Sequence, residues 1–246
     1  MQTSMEKIRV DGSDMDVYLA VPSGAGPFPA LVVMQTQYGL EDFLKETTRR
    51  VCESGYVGAA IDLYHWDGPD CQESIDIRKT RLRDDNVIKD VNATVDLLKS
   101  HKTVDSERIG IIGFCMGGRN AFLMAAANPT FKAAVSYYGG GTMRPWGHGP
   151  SPFDRIPEIH CPILAHFGED DKNPSPEDMR KLDAELTKHG KRHEFHSYAG
   201  AGHGFMNTRQ AGYRAHADQA SWPRTLDFLG RYLGKQETKL AAAAAR

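Results

Sequence analysis

Cys115 lies in Gly113-Phe114-Cys115-Met116-Gly117, between an apolar run ending at Phe114 and a helical pattern from Met116 to Ala127. That order reads as strand, sharp turn, helix. Glycines flank the cysteine because a side chain at either position would collide with a neighbouring strand or helix. The turn pushes the sulfur out at the carboxyl end of the strand. It also leaves the Met116 N–H free at a helix N-terminus, where anionic charge is stabilised. A free thiol titrates at about 8.5, so a nucleophilic Cys115 also needs an imidazole beside it. His203 offers one, between Gly202 and Gly204 after an expected strand. Asp171 ends the run Gly168-Glu169-Asp170-Asp171, after another expected strand. It is the candidate acid that holds the imidazole ring, with Asp170 as the fallback one residue back. In this reading Cys115 attacks a carbonyl, His203 moves protons and Asp171 orients His203.

Each residue also has a plainer reading. A cysteine in a glycine-rich turn is most often a small buried side chain. His203 is one of ten histidines, and most histidines are surface or partly buried residues. What favours chemistry is that all three fall just after strands, on one rim. The remaining cysteines are weighted the other way. Cys52 in a helix and Cys161 at a strand start read as packing, and Cys71 sits in a loop. His193 and His196 have odd spacing on a strand and so point to opposite faces. With no His-Glu-x-x-His run, a metal site is not expected.

The elements that position these residues follow from periodicity. Lys7–Val10 and Met15–Val21 read as strands around the hairpin signal Asp11-Gly12. Ala30–Met34 and Val57–Ile61 are continuous apolar runs, as expected of strands buried on both faces. Asp42–Ser54 is helical and ends at Gly55. Asp62–Gln72 is an irregular loop, and Glu73–Lys99 reads as one long amphipathic helical region. Strands are expected at Phe131–Tyr137, Pro162–Phe167 and His193–Tyr198. Helices are expected at Pro176–His189 and Gly212–Leu233, the second kinked or split at Pro223. Tyr138–Pro157 is a Gly/Pro-rich excursion. Strands alternating with helices specify an α/β fold with a mostly parallel central sheet and helices on both faces. Ligands bind such sheets beyond the strands' carboxyl ends.

Composition sets the outer bounds. The 246 residues, 40% of them apolar, suit one domain over residues 1–235. The tail, residues 236–246, ends in an alanine run and is either a natural helical tail or a translated cloning remnant. A net charge of −2 without a long basic run argues against nucleic acid. No apolar run reaches the length of a membrane span. The first ten residues lack a signal-peptide core. The four cysteines are scattered without a C-x-x-C pair, which argues against structural zinc and a disulfide framework. A reducing cytoplasm is the expected compartment, and either a monomer or a homodimer is consistent with the sequence.

With these residues in place the chain resembles the dienelactone hydrolase family, which has the α/β-hydrolase fold. Gly113-Phe114-Cys115-Met116-Gly117 fits that fold's nucleophile elbow, with Cys where Ser usually stands, and the order nucleophile, acid, base is that of the fold. The other matching pieces are Gln37-Tyr38-Gly39-Leu40, Asp62-Leu63-Tyr64, Tyr137-Tyr138-Gly139, Phe167-Gly168-Glu169-Asp170-Asp171, Gly202-His203-Gly204-Phe205 and Arg224–Leu229. They span roughly Lys7 to Leu233. The resemblance implies a triad of Cys115, Asp171 and His203, an oxyanion hole from the N–H groups of Gln37 and Met116, and no cofactor. There are two departures. Family members often carry a Glu where this chain has Thr36. Those acting on dienelactones hold the substrate carboxylate with two arginines, whose positions here fall near Gln72 and at Asn207. Arg78, Arg81, Arg83 and Arg209 are the available replacements, though each reads more readily as a solvated surface charge. Thr36, Tyr38, Tyr64 and Trp146 are the candidate pocket residues. The expected function is cysteine-dependent hydrolysis of a small ester or lactone through a thioester acyl-enzyme. The alternatives are a thioesterase or acyltransferase, and a non-enzymatic thiol sensor or small-molecule binder.

Overall fold

Alternating buried strands and amphipathic helices build one eight-stranded sheet with a helical layer on each face. The computed structural model describes residues 1–68 and 70–234; the tail at 236–246 lies outside them. The strands are β1 (Gln2–Val10), β2 (Ser13–Val21), β3 (Phe28–Met34), β4 (Val57–Ile61), β5 (Val104–Phe114), β6 (Ala134–Tyr137), β7 (Ile163–Gly168) and β8 (His193–Tyr198). The helices are α1 (Asp42–Glu53), α2 (Ile75–Arg78), α3 (Asp84–Ser100), α4 (Met116–Ala127), α5 (Pro176–Lys188) and α6 (Ala215–Leu233).

The sheet order is β1-β2-β4-β3-β5-β6-β7-β8. β1 and β2 pair antiparallel across a tight turn at Asp11 (φ 45°) and Gly12 (φ 90°), and β2 pairs antiparallel with β4. From β4 onward every neighbouring pair is parallel. Ala30–Met34 and all of β4 are buried, because helices cover both faces at the centre of the sheet. α1 and α6 cover one face, through Phe43, Leu44, Val51, Trp222, Phe228 and Leu229. α3, α4 and α5 cover the other, through Val87, Val91, Phe122, Leu123, Met179 and Leu182. After β3 the chain moves outward to β4, and after β4 it returns to β5 on the other side of β3. The direction of winding therefore reverses between β3 and β5, and their carboxyl ends open a crevice there.

Four expectations needed correction. Glu73–Lys99 is not one helical run: α2 and a following 3₁₀ turn (Lys79–Arg81) precede a break at Leu82 and Arg83, both extended, before α3 begins. The cause is tertiary. Asp84 donates its N–H to Trp146 O and binds Arg119 through its carboxylate, which fixes the start of α3. The strand at Phe131–Tyr137 is shortened to Ala134–Tyr137. The last helix begins at Ala215 rather than Gly212, because Arg214 N–H bonds to Phe205 O. α6 is continuous through Pro223 rather than split.

Candidate active site

Cys115 caps α4 at the end of β5, with φ 57° and ψ −120°. A positive φ is strained for a residue with a side chain, at a cost of about 1–3 kcal/mol. The glycines make the turn sterically feasible. A Cβ on Gly113 would lie 2.0 Å from Gly117 O, and one on Gly117 would lie 2.4 Å from Met34 O. Backbone crosses backbone here, leaving no room for side chains. Met116 is the first residue of α4, so its N–H has no intrahelical acceptor. Gln37 follows β3, the strand adjacent to β5, and stands across the crevice from Met116.

Asp171 and His203 come together because the loops after β7 and β8 touch. Asp170 N–H bonds to Ala201 O at 2.9 Å, and a Cβ on Gly168 would meet that same oxygen at 2.1 Å. Asp171 Oδ2 lies 2.9 Å from His203 Nδ1, and its Oδ1 accepts the Asn173 N–H at 2.9 Å. The Asp171 side chain is buried, whereas Asp170 is exposed. Burial by itself pulls the His203 imidazolium down. Hydrogen bonds to Asp171 and Cys115, and their charges, outweigh it and hold the ring protonated up to about 10. Solvent reaches 40% of the side chain and screens these charges in part. The rings of Tyr138 and His203 pack in a T-shaped pair with centroids 5.2 Å apart.

A cavity of about 630 Å³ brings Cys115, His203, Asp171, Gln37 and Met116 together. Trp146 is the one expected wall residue that lines it. Thr36 is buried below the turn after β3. Its hydroxyl donates to Glu41 Oε1 at 2.5 Å and accepts from Tyr38 N at 3.2 Å. Tyr38 is 46% exposed and does not line the cavity. Tyr64 is buried and supports the site from behind, its hydroxyl donating to Gln37 O at 2.8 Å. That bond fixes the segment carrying the Gln37 N–H. Leu82, Lys79, Arg119, Arg144 and Lys172 line the cavity too, and the sequence reading did not single them out. They arrive from the α2–α3 segment, from α4 and from two loops, and no motif marks them. The replacement arginines proposed from sequence are engaged elsewhere. Arg78 and Arg81 bind Asp67, Arg209 binds Glu46 and Asp42, and Arg83 donates to the carbonyls of Thr80 and Leu82.

The model of the dienelactone hydrolase family matches residues 15–233. The chain belongs to that family. It is thereby a hydrolase of the carboxylic ester or lactone class. A Bradyrhizobium protein provisionally named 2-oxo-3-(5-oxofuran-2-ylidene)propanoate lactonase is 33% identical over 236 residues, covering 94% of this chain and 95% of its own. A protein of Escherichia coli K12 provisionally named carboxymethylenebutenolidase is 30% identical, over 92% of this chain and 85% of its own. A crystal structure from Klebsiella pneumoniae, provisionally assigned as a dienelactone hydrolase, superposes with a TM-score of 0.87. It is 27% identical and covers 94% of this chain and 99% of that one. The architecture is the α/β-hydrolase fold of these relatives. Among the described residues, no helix is long and apolar enough to cross a membrane.

Proposed function

We propose that the enzyme cleaves an ester or lactone through Cys115, His203 and Asp171, by way of a thioester acyl-enzyme. The observation that carries this is that Cys115 and His203 line one cavity together, with His203 Nδ1 2.9 Å from the buried carboxylate of Asp171. The Cys115 thiolate attacks the carbonyl carbon, and the displaced electron pair moves to the carbonyl oxygen. The N–H groups of Gln37 and Met116 hold that oxyanion. Collapse breaks the bond to the leaving oxygen, which takes a proton from His203. A water then gives its proton to His203 and adds to the thioester. The second collapse releases the acid and returns the thiolate.

The charge on His203 changes in the sense each step needs. While the thiolate is present, its charge and that of Asp171 keep the imidazole protonated, up to about 10, so it has a proton to give. Acylation removes the thiolate. Only Asp171 then supports the cation, while burial still opposes it, and the ring becomes a base. Rapid quenching during turnover of an aryl acetate should yield a protein heavier by one acetyl group, with the label on the Cys115 peptide. Turnover with the label on another residue would sink the assignment.

We further propose that the substrate carries a carboxylate. The named substrate of the Bradyrhizobium relative is a propanoate. In this chain Arg144 and Lys172 line the cavity, and among the described residues neither has an ion-pair partner. Exposed charge pairs contribute roughly 0.2–1 kcal/mol each. The double variant Arg144→Ala/Lys172→Ala should therefore raise KM for an acidic lactone by about 2- to 30-fold. KM for its neutral methyl ester should stay the same. Equal effects on both would count against a carboxylate subsite.

A further inference from the structure

Arg119 sits on α4 four residues past the nucleophile, and it is 1% exposed. A guanidinium in that position is costly unless every part of it is engaged. It is fully engaged. Nη1 and Nη2 donate to the two oxygens of Asp84 at 2.7 and 3.1 Å. Nη2 also donates to Arg144 O at 2.6 Å, Nε to Gly141 O at 3.3 Å, and Nη1 to Asn120 Oδ1 at 3.3 Å. These bonds use the whole donor set of a guanidinium. Arg119 borders the cavity but has no N–H left for a substrate. Its flat face lies 4.0 Å from the ring of Trp146. Asp84 closes the circuit: its carboxylate accepts the Trp146 N–H at 3.0 Å, and its own N–H donates to Trp146 O at 2.9 Å.

Three points of the Gly139–Gly149 excursion thus hang from one side chain and its partner. They are Gly141 O, Arg144 O and the Trp146 residue. The excursion has no regular secondary structure, so tertiary ties must set its shape. It supplies Gly140, Gly141, Arg144 and Trp146 to the cavity wall.

We propose that Arg119 is a positioning residue that fixes this wall to the nucleophile's own helix and thereby sets which acyl groups fit beside Cys115. The inference rests on Cys115 being the nucleophile in this cavity. Its consequence is a selectivity effect separable from the chemistry. A mismatch of one methylene in a fitted pocket changes specificity by about 10-fold or more, so a loosened wall should show first in discrimination between acyl chains.

The test is kcat and KM on p-nitrophenyl esters from acetate to octanoate, for wild type, Arg119→Lys, Trp146→Ala, Asp84→Asn and Cys115→Ala. Arg119→Lys keeps a charge opposite Asp84 but loses the fork and the stacking face. It should reduce the acetate-over-octanoate preference by about tenfold or more, through KM, with kcat on acetate within about twofold of wild type. Trp146→Ala should shift the profile the same way, and the double variant should add little, because both act on one wall. A folded Arg119→Lys protein with the wild-type KM profile overturns the proposal. So does a uniform fall in kcat with KM unchanged. If Arg119→Lys does not fold, Asp84→Asn and Trp146→Ala decide. A shifted profile in both supports the role, and a wild-type profile in either overturns it. Turnover retained in Cys115→Ala would instead sink the nucleophile reading, whatever the profiles show.

Discussion

Asp171→Asn should lower kcat by about 10⁴-fold, the size expected when a triad imidazole is held in the wrong tautomer, while Asp170→Asn should leave it within about threefold. The geometry around Asp171 gives the reason. Its Oδ1 is committed to the Asn173 N–H, and Oδ2 faces His203 Nδ1. An asparagine at 171 must keep an oxygen toward Asn173, because an amide NH₂ there would oppose another donor. Its NH₂ therefore faces His203. Nδ1 must then accept, which places the ring proton on Nε2, so the neutral imidazole cannot take a proton from water on its Cys115 side. Asp170 is exposed and contributes its backbone N–H, to Ala201 O, which Asn retains. Stopped-flow or steady-state kinetics on an aryl ester, with circular dichroism to establish folding, decides between the two. A larger loss in Asp170→Asn than in Asp171→Asn would move the acid assignment back by one residue.

What could be read in the sequence were features written locally. Gly113 and Gly117 announce a crowded turn because any side chain there would clash within the same strand–turn–helix unit. Asp11-Gly12 specifies a hairpin for a similar reason. The apolar runs Ala30–Met34 and Val57–Ile61 declare strands covered on both faces, so the sheet and its carboxyl rim followed. From the rim, Cys115, Asp171 and His203 could be placed near one another before any distance was known. The cavity walls could not be read this way. Arg119 looks like a helix residue, and Asp84 like one more acid in an amphipathic run. Only their pairing across 35 residues of chain explains why the helical pattern from Glu73 breaks at Leu82 and how Trp146 reaches the cavity. Side-chain direction in turns was equally hidden. Tyr38 and Tyr64 belong to matching motifs and Thr36 directly precedes one, yet Thr36 turns to Glu41, Tyr38 faces solvent and Tyr64 braces Gln37 from behind.

The rate on different esters should fall steeply as the leaving group becomes more basic, and Cys115→Ser should flatten that dependence. In the tetrahedral intermediate two groups compete to leave. One is the thiolate, whose parent thiol titrates at about 8.5. The other is the substrate's oxygen. For a simple alkyl ester its conjugate acid is closer to water, at about 15.7, so the intermediate mostly returns to thiolate and intact ester. Proton donation from His203 offsets part of this, since the ring is protonated beside the thiolate before attack and carries that proton into the intermediate. Phenolates and the enolates of enol lactones are far weaker bases, and for them collapse goes forward. At a fixed acyl group, kcat/KM should therefore favour phenyl over ethyl acetate by several orders of magnitude. A serine at 115 would leave as an alkoxide no better than the ethoxide it competes with, so the partition would no longer disfavour alkyl esters. The variant should lose most of its rate on aryl acetates and much less on alkyl ones. A graded series of acetates measured with both proteins tests each half. Equal rates on phenyl and ethyl acetate in the wild type, with acylation shown to limit turnover, would exclude a thiolate as the attacking group.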